Sequence, residues 1–286
     1  MAPDFLSHSE APIALEQWQE IDNMVIDVVR RQLVGRRLLH LFGPLGAGVQ
    51  SITLDHFESA GPGTLDLLGE ADGQPIQSVS RQVLQLPLIY RDFVLNWRDL
   101  EASRKLDMPL DLSAAAAAAS SCARAEDELI FLGYRNKAQY ISYPGLLTVE
   151  GRLRLQHTDW ESPGGVFNDV IRATENLASG GFYAPYAMVA SPKLYAKIHR
   201  YVGGSGVMEI DNIRQIVTQG VYFSSVIPEN QILIASTGVQ NADLAIGQDF
   251  KTAYLGAQNM NHPFRVFESV VLRIKRPGSV CVIEGA

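Results

Sequence analysis

Cysteine is scarce in this chain: Cys122 and Cys281 are the only two in 286 residues, far apart and outside any Cys-x-x-Cys spacing. A disulfide framework, a thiolate metal site and a vicinal redox pair are therefore not expected, and two buried thiols are. Long apolar runs are missing too. The alanine run at 114–119 is too short and too weakly apolar for a bilayer, which takes about 18 consecutive apolar residues. Basic charge is in the minority, 24 Lys and Arg against 31 Asp and Glu for a net charge of -7, and no stretch gathers it into a phosphate-binding stripe. Neither a membrane nor nucleic acid is expected as a partner. Residues 1–10 lack the charged start, apolar core and small-residue cleavage site of a secretory signal, so a cytoplasmic location is expected.

Catalytic signatures are equally sparse, with no Gly-x-Ser-x-Gly, no Gly-x-x-x-x-Gly-Lys-[Ser/Thr] and no His-Glu-x-x-His. The glycine groups at 43–48 and 203–206 have the wrong spacing for a dinucleotide fingerprint and read as turns. His8, His40, His56, His157, His199 and His262 are scattered, none at helical spacing from another metal ligand. An enzyme has no positive support here.

What is present is an ordinary globular composition, 47% apolar and 19% charged. A chain this long can bury roughly 75% of its unfolded surface. Spacing predicts a first helix over 15–40, with Trp18, Ile21, Val25 and Val28 on one side and Val29 and Leu33 widening the stripe. Short β-favouring pieces at 51–57 and 78–84, separated by Gly61-Pro62-Gly63 and by 69–75, predict an extended two-stranded arm. Such a ribbon cannot bury enough surface alone and should lie on something else, a neighbouring subunit being the natural candidate.

A strand is expected at 90–95, then a helix over 114–132 that begins with alanines after an N-cap at Asp111-Leu112-Ser113. Small side chains would let a second element approach this helix closely. Its Glu126-Asp127-Glu128 cluster reads as solvated or interfacial, because neighbouring carboxylates diverge on a helix and no Glu-x-x-His follows. Further along come a helix at 166–178, a strand at 186–190, and a helix opened by Ser191 as cap and Pro192 in its first position. A helix at 209–219 capped by Gly220 follows, then strands at 232–235, 244–246, 251–255, 264–275 and 280–283. The fold class is α+β.

A set of motifs then runs in order along nearly the whole chain. It begins with Ala11-Pro12-Ile13-Ala14-Leu15-Glu16-Gln17-Trp18-Gln19-Glu20-Ile21-Asp22, Leu33-Val34-Gly35-Arg36-Arg37 and Gly43-Pro44-Leu45-Gly46. It continues with Leu86-Pro87-Leu88-Ile89, Asp111-Leu112-Ser113, Glu126-Asp127-Glu128-Leu129-Ile130-Phe131-Leu132-Gly133, Tyr183-Ala184-Pro185-Tyr186-Ala187-Met188-Val189 and Leu244-Ala245-Ile246-Gly247-Gln248-Asp249. Each is weak by itself, but the ordered set resembles the encapsulin shell proteins.

That resemblance implies the HK97-type fold of tailed-phage major capsid proteins. Residues 1–48 would be the N-terminal arm and helix of a peripheral domain, 49–88 the extended loop and 89–136 the spine-helix region. Residues 137–228 would form the axial domain, and 229–286 strands returning to both. It implies a homo-oligomeric icosahedral shell of about 60 copies, about 180 in larger versions, enclosing a cargo enzyme such as a dye-decolorising peroxidase or a ferritin-like protein. The cargo's C-terminal peptide would bind a lumenal groove that maps to Val29, Leu33 and Arg36, with Leu244 and Ile246. His40 stands where relatives carry an acidic residue, which would change the preferred peptide polarity and make it sensitive to mild acid. The fivefold pore loop maps to Ala178, Ser179, Gly180, Gly181, Phe182 and Tyr183, uncharged, with the glycines flexing and the aromatics setting the constriction or packing beneath it. Some relatives bind flavin near a tryptophan, and Trp97 lies one position out of register with it. No other cofactor and no metal are implied. A prophage major capsid protein is the alternative sharing this fold.

Overall fold

The first helix stops well before position 40. In the computed structural model, which describes residues 5–57, 63–68, 70, 75–106, 108–136, 138, 141–203 and 206–285, α1 spans Leu15–Gln32. The Gln17 side chain accepts a hydrogen bond from the Ala14 N–H at 3.0 Å, closing its first turn. Trp18, Ile21, Val25 and Val29 are buried as the spacing predicts, and Leu33 joins them as the residue beyond the helix. A separate turn, α2 (Gly35–Leu38), follows, and then strand β1 (His40–Phe42).

The predicted arm is the antiparallel ribbon of β2 (Ser51–Phe57) and β3 (Ser78–Gln85), paired from Ser51↔Gln85 to Phe57↔Ser78. The turn residues Gly61, Pro62, Gly69 and 71–74 lie outside the described residues, as do Gly204 and Ser205 of the later glycine group. β4 (Leu88–Leu95) leads into α3 (Trp97–Leu106), which the sequence reading missed. The spine is α4 (Ser113–Phe131), where Asp111 Oδ1 accepts from the Ser113 N–H at 2.9 Å. Its Ala115, Ala118 and Ala119 are buried against α1 and the sheet, so the small side chains do permit close approach. At its other end a Cβ on Gly35 would come within 2.5 Å of Ile130 Cδ1, so a side chain there would make Ile130 shift for α2 to lie this close.

The hairpin β5 (Gly133–Asn136) and β6 (Ile141–Pro144) precedes β7 (Leu153–Gln156) and α5 (Gly165–Ser179). β8 (Tyr186–Ala190) runs into α6 (Pro192–Lys197), whose cap is the expected one: Ser191 Oγ accepts from the Leu194 N–H at 3.3 Å. α7 (Glu209–Ile216) ends earlier than predicted, and Gly220 opens β9 (Gly220–Phe223) instead of capping a helix. β10 (Gln231–Ser236), β11 (Ala242–Tyr254), β12 (His262–Ile274) and β13 (Val280–Glu284) complete the chain. The two strands expected at 244–246 and 251–255 are one strand, β11, with register shifts beside Gln248.

Two sheets organise these elements. The first has order β1-β11-β12-β4, with β1 parallel to β11 and the other pairs antiparallel. One of its faces packs on α1 and α4 through Phe93, Phe250, Phe264 and Val266. The root of the arm lies on Ala245 and Val271 through Leu54 and Leu84. The second has order β7-β13-β10-β8-β9 and is covered by α5 and α7. Its central strands are apolar on both faces, as buried strands are. A shared core between the sheets includes Leu233, Val282, Leu244 and Val270.

Candidate functional site

The acidic cluster on α4 is not solvated. Cys122, Ala123, Glu126, Asp127 and Ile130 recur at three- and four-residue spacing on the buried side, and Glu126 and Asp127 are 0% and 4% exposed. Burying a carboxylate demands a partner, and each has found one. Arg36 donates from Nε to both Glu126 oxygens at 2.9 and 3.0 Å, and from its terminal nitrogens to Glu126 (2.8 Å), Glu268 (2.6 Å) and Asp249 (2.9 Å). Asp127 accepts from the Val34 and Gly35 N–H groups at 3.1 and 2.9 Å and from Ser224 Oγ at 3.1 Å. It thus satisfies the opening turn of α2 and explains why the first helix breaks there. The two carboxylates do diverge, as expected, but into two buried networks. Only Glu128 behaves as a surface group, paired with Arg124 at 2.9 Å.

The electrostatics follow from burial. Burial first, and then the charge of Glu126, push the Glu268 carboxyl well above its usual range, with Arg36 opposing. Burial would lower the Arg36 guanidinium, but the hydrogen bond to Glu126 and the charges of Glu126, Glu268 and Asp249 hold it above its ordinary value. Burial raises Asp127 to about 6 against its backbone hydrogen bonds. It also pushes the two free thiols, Cys122 and Cys281, to about 12.

These contacts change the picture of the expected peptide groove. Val29 and Leu33 lie in the core between α1, α4 and the first sheet, whereas Leu244 and Ile246 lie in the core between the two sheets. All four are at most 4% exposed in the single chain. The Arg36 donors are already engaged by three carboxylates. His40 is exposed and begins β1, in register with Asp243, and Leu41 and Phe42 beside it are each 40% exposed. The Arg273 guanidinium lies 4.4 Å over the Phe42 ring. Sequence reasoning missed Leu41 and Phe42, because only the pairing of β1 with β11 puts them on an edge strand.

The loop expected at a pore is less free than its glycines suggest. Gly181, at φ +79°, follows Gly180 as the left-handed stop of α5, with Phe182 N–H donating to Leu177 O at 2.9 Å and Gly181 N–H to Ala178 O at 3.0 Å. The glycine thus terminates α5. Ser236 Oγ pins Tyr183 O at 2.6 Å, and Tyr186 OH pins Phe182 O at 2.8 Å. The two aromatics part company: Phe182 is half-buried under the Arg276 guanidinium at 4.4 Å, and Tyr183 is 69% exposed. Ser179 is exposed at the end of α5 and Ala178 half-buried. Trp97 opens α3, its backbone N–H donating to Asn261 Oδ1 at 3.3 Å and its ring facing Arg98 at 5.5 Å. Among the described residues no three His, Cys, Asp or Glu are grouped to hold a metal, and no helix is long and apolar enough to cross a membrane.

Comparison with known proteins places these features. A family model described as an encapsulating protein for peroxidase matches residues 3–271. The chain is 48% identical over 284 residues to the type 1 encapsulin shell protein EncA of Myxococcus xanthus, covering 99% of this chain and 98% of that one. It is 42% identical to a diheme-cytochrome-encapsulin shell fusion protein of Kuenenia stuttgartiensis, over 96% of this chain and 75% of that one. Among solved structures, a virus-like particle from Pyrococcus furiosus superposes with a TM-score of 0.74 at 22% identity, over 94% of this chain and all of that one. The capsid of the myovirus XM1 follows with 0.63 at 12%, over 86% and 89%. The fold is therefore the HK97-type α+β fold shared with tailed-phage capsids. The sequence kinship lies with shell proteins, which disfavours the prophage alternative. A full-length family match, near half identity to a shell protein and a capsid fold agree, and the chain belongs to the encapsulin shell family, whose role is structural rather than enzymatic.

Proposed function

We propose that about 60 copies of this chain, or about 180 in a larger form, close into an icosahedral shell in the cytoplasm around a cargo enzyme that carries a C-terminal targeting peptide. The arm carries this reading. It is rooted by Leu54 and Leu84, yet Phe57, Ile76, Val79 and Val83 are each more than half exposed along it. A two-stranded ribbon with that much open apolar surface suits a second copy as its support. The division into regions 1–48, 49–88, 89–136, 137–228 and 229–286 then assigns 49–88 to subunit contact.

For cargo capture, the corner of β1 adds an exposed surface to the region marked by Val29, Leu33, Arg36, Leu244 and Ile246. β1 is the edge of its sheet and exposes Leu41 and Phe42, so an extended peptide can add along it with apolar anchors on those rings and chains. His40 sits at its start, and Arg36 acts indirectly by holding α2 in place. Tyr183 is the residue best placed to narrow a pore, with Phe182 as its support. Cargo of the peroxidase or ferritin-like kind, separate from the shell chain, fits this arrangement. Flavin at Trp97 and packaged nucleic acid are left out of the reading.

The test is to express the chain alone and weigh the product. Hollow particles free of nucleic acid are expected, and a monomer or dimer in mild buffer overturns the shell reading. A fluorescent protein bearing a targeting peptide should co-purify with wild-type particles and not with Leu41→Asp/Phe42→Asp particles.

A further inference from the structure

Where α1, α4 and β9 meet, a cleft of about 470 Å³ carries Arg31, Arg37 and Arg124 on its rim, with Tyr195, Tyr222 and Phe223 along one wall. Three guanidinium groups on one cleft are unexpected in a chain of net charge -7. Their partners make them more so. The Arg31 guanidinium has no hydrogen bond or ion pair among the described residues. Arg37 reaches only the Arg31 carbonyl, at 3.3 Å, and lies 5.8 Å over the Tyr222 ring. Arg36, one residue earlier, is by contrast held by three carboxylates. Arg124 spends its Nε on Glu128 and keeps its terminal nitrogens.

The floor does not neutralise this rim by pairing with it. Asp127 is the carboxylate there, and it is committed to the Val34 and Gly35 N–H groups and to Ser224. Tyr222 is fixed through its hydroxyl, which donates to Gln219 O at 2.8 Å, so the ring under Arg37 is a rigid support. Phe223 is 50% exposed and packs one side on Tyr195 at 4.8 Å, leaving apolar ring surface open. The volume is that of a small-molecule site. Guanidinium forks match phosphate oxygens, and an exposed aromatic face accepts a planar ring.

We propose that this cleft binds a small aromatic phosphate of the nucleoside monophosphate class, with Arg31 and Arg37 on the phosphate and the ring against Phe223. The site is separate from the surfaces assigned above to cargo and passage, and its occupancy would not depend on either.

Titration calorimetry of assembled wild-type particles with AMP, inorganic phosphate and adenosine tests this. Saturable AMP binding is expected, with phosphate weaker and adenosine weakest. Losing two charge-assisted contacts should weaken AMP by roughly a hundredfold in Arg31→Ala/Arg37→Ala. Arg31→Lys/Arg37→Lys keeps the charge but loses the fork and should bind AMP more weakly than wild type and more tightly than the double alanine. Phe223→Ala should bring AMP down to the affinity of phosphate and leave phosphate unchanged. The arginines are exposed, so particle mass should be unaltered; if the double variant fails to assemble, the wild-type ligand series and Phe223→Ala decide. No saturable AMP binding by wild type, adenosine binding as tightly as AMP, or an intact double-alanine particle binding AMP like wild type each overturns the proposal.

Discussion

Two arginine–carboxylate contacts in this molecule have similar geometry and opposite settings. In the arm, Arg81 meets Asp55 at 2.6 Å with side chains 66% and 30% exposed. Where α2, α4 and β12 converge, Arg36 meets Glu126 and Glu268 at 2.8 and 2.6 Å with side chains 14%, 0% and 0% exposed. An exposed pair gains little over its hydration, whereas a buried one becomes costly the moment a partner is removed. The corner is finished within one chain. The arm has hydrogen bonds along its length but leaves apolar side chains open, which is why we propose that a second copy finishes it.

The largest effect should therefore come from the arm, and it should be on assembly rather than folding. Phe57→Asp/Val83→Asp puts charge on two side chains each 62% exposed, so the isolated chain keeps its circular dichroism and unfolding midpoint. Mass photometry should show particles replaced by single chains. Intact particles, or a chain that no longer folds, would erase the contrast between the two regions. Arg81→Ala in the same ribbon should leave the stability of the unassembled chain within error.

The corner should respond in the opposite way. Arg36→Ala leaves Glu126 and Glu268 buried without their cation, and urea unfolding of the unassembled chain should show a loss of about 3–5 kcal/mol. Glu268→Gln should be far milder. Its carboxyl has a folded-state pKa raised above the unfolded value, so its contribution is complete below about 4.5 and is lost as pH rises through the raised value. The glutamine does not titrate, so the stability of the variant should not share that fall with pH.

How much of this was legible in the sequence depends on whether the deciding partner was close in the chain. The caps at Ser191-Pro192 and Asp111, the alanine-faced spine and both ribbon strands are local, set by spacing and side-chain chemistry within a few residues. The break after Gln32 was not, since Leu33 continues the apolar stripe and the cause is Asp127, far away on α4. α3 escaped because Leu100 is its only buried side chain, leaving no stripe, although Asn96 accepts from the Arg98 N–H at 2.9 Å as a cap signal. In the candidate site, Glu126 and Asp127 carried their own clue. Their spacing from Cys122 and Ala123 puts them on the buried side, although their polarity points to solvent. Leu41 and Phe42 had no local clue, because a strand of three residues is identified by its pairing with β11 alone.

Asp127 sharpens the comparison at smaller scale, because burial raises this second carboxyl of the corner whereas the hydrogen bond from Arg81 holds the arm's Asp55 below its usual range. Its folded-state pKa of about 6 lies above the reference 3.8, so stability is complete below the lower value and declines as pH rises through the higher one. That interval corresponds to on the order of 3 kcal/mol. Asp127→Asn keeps the neutral form and an acceptor for the α2 N–H groups. Unfolding between about pH 4 and 7 should become flatter by that amount relative to wild type, and an unchanged slope would mean that Asp127 is charged throughout.

The smallest effect tests whether the loop after α5 belongs with the corner or with the arm. Gly181 has open space where a Cβ would go, so an alanine there meets no atom within 4 Å and feels only its left-handed φ of +79°. That backbone strain is about 1 kcal/mol. If the loop is held as its hydrogen bonds to Leu177, Ser236 and Tyr186 indicate, Gly181→Ala should lower unfolding stability by this amount, and an asparagine, which tolerates the same conformation, should recover part of it. A loop free to flex would relax to negative φ at no cost. Equal stability of glycine, alanine and asparagine would then move this segment to the side of the arm, as a part whose shape is set only by its neighbours in the shell.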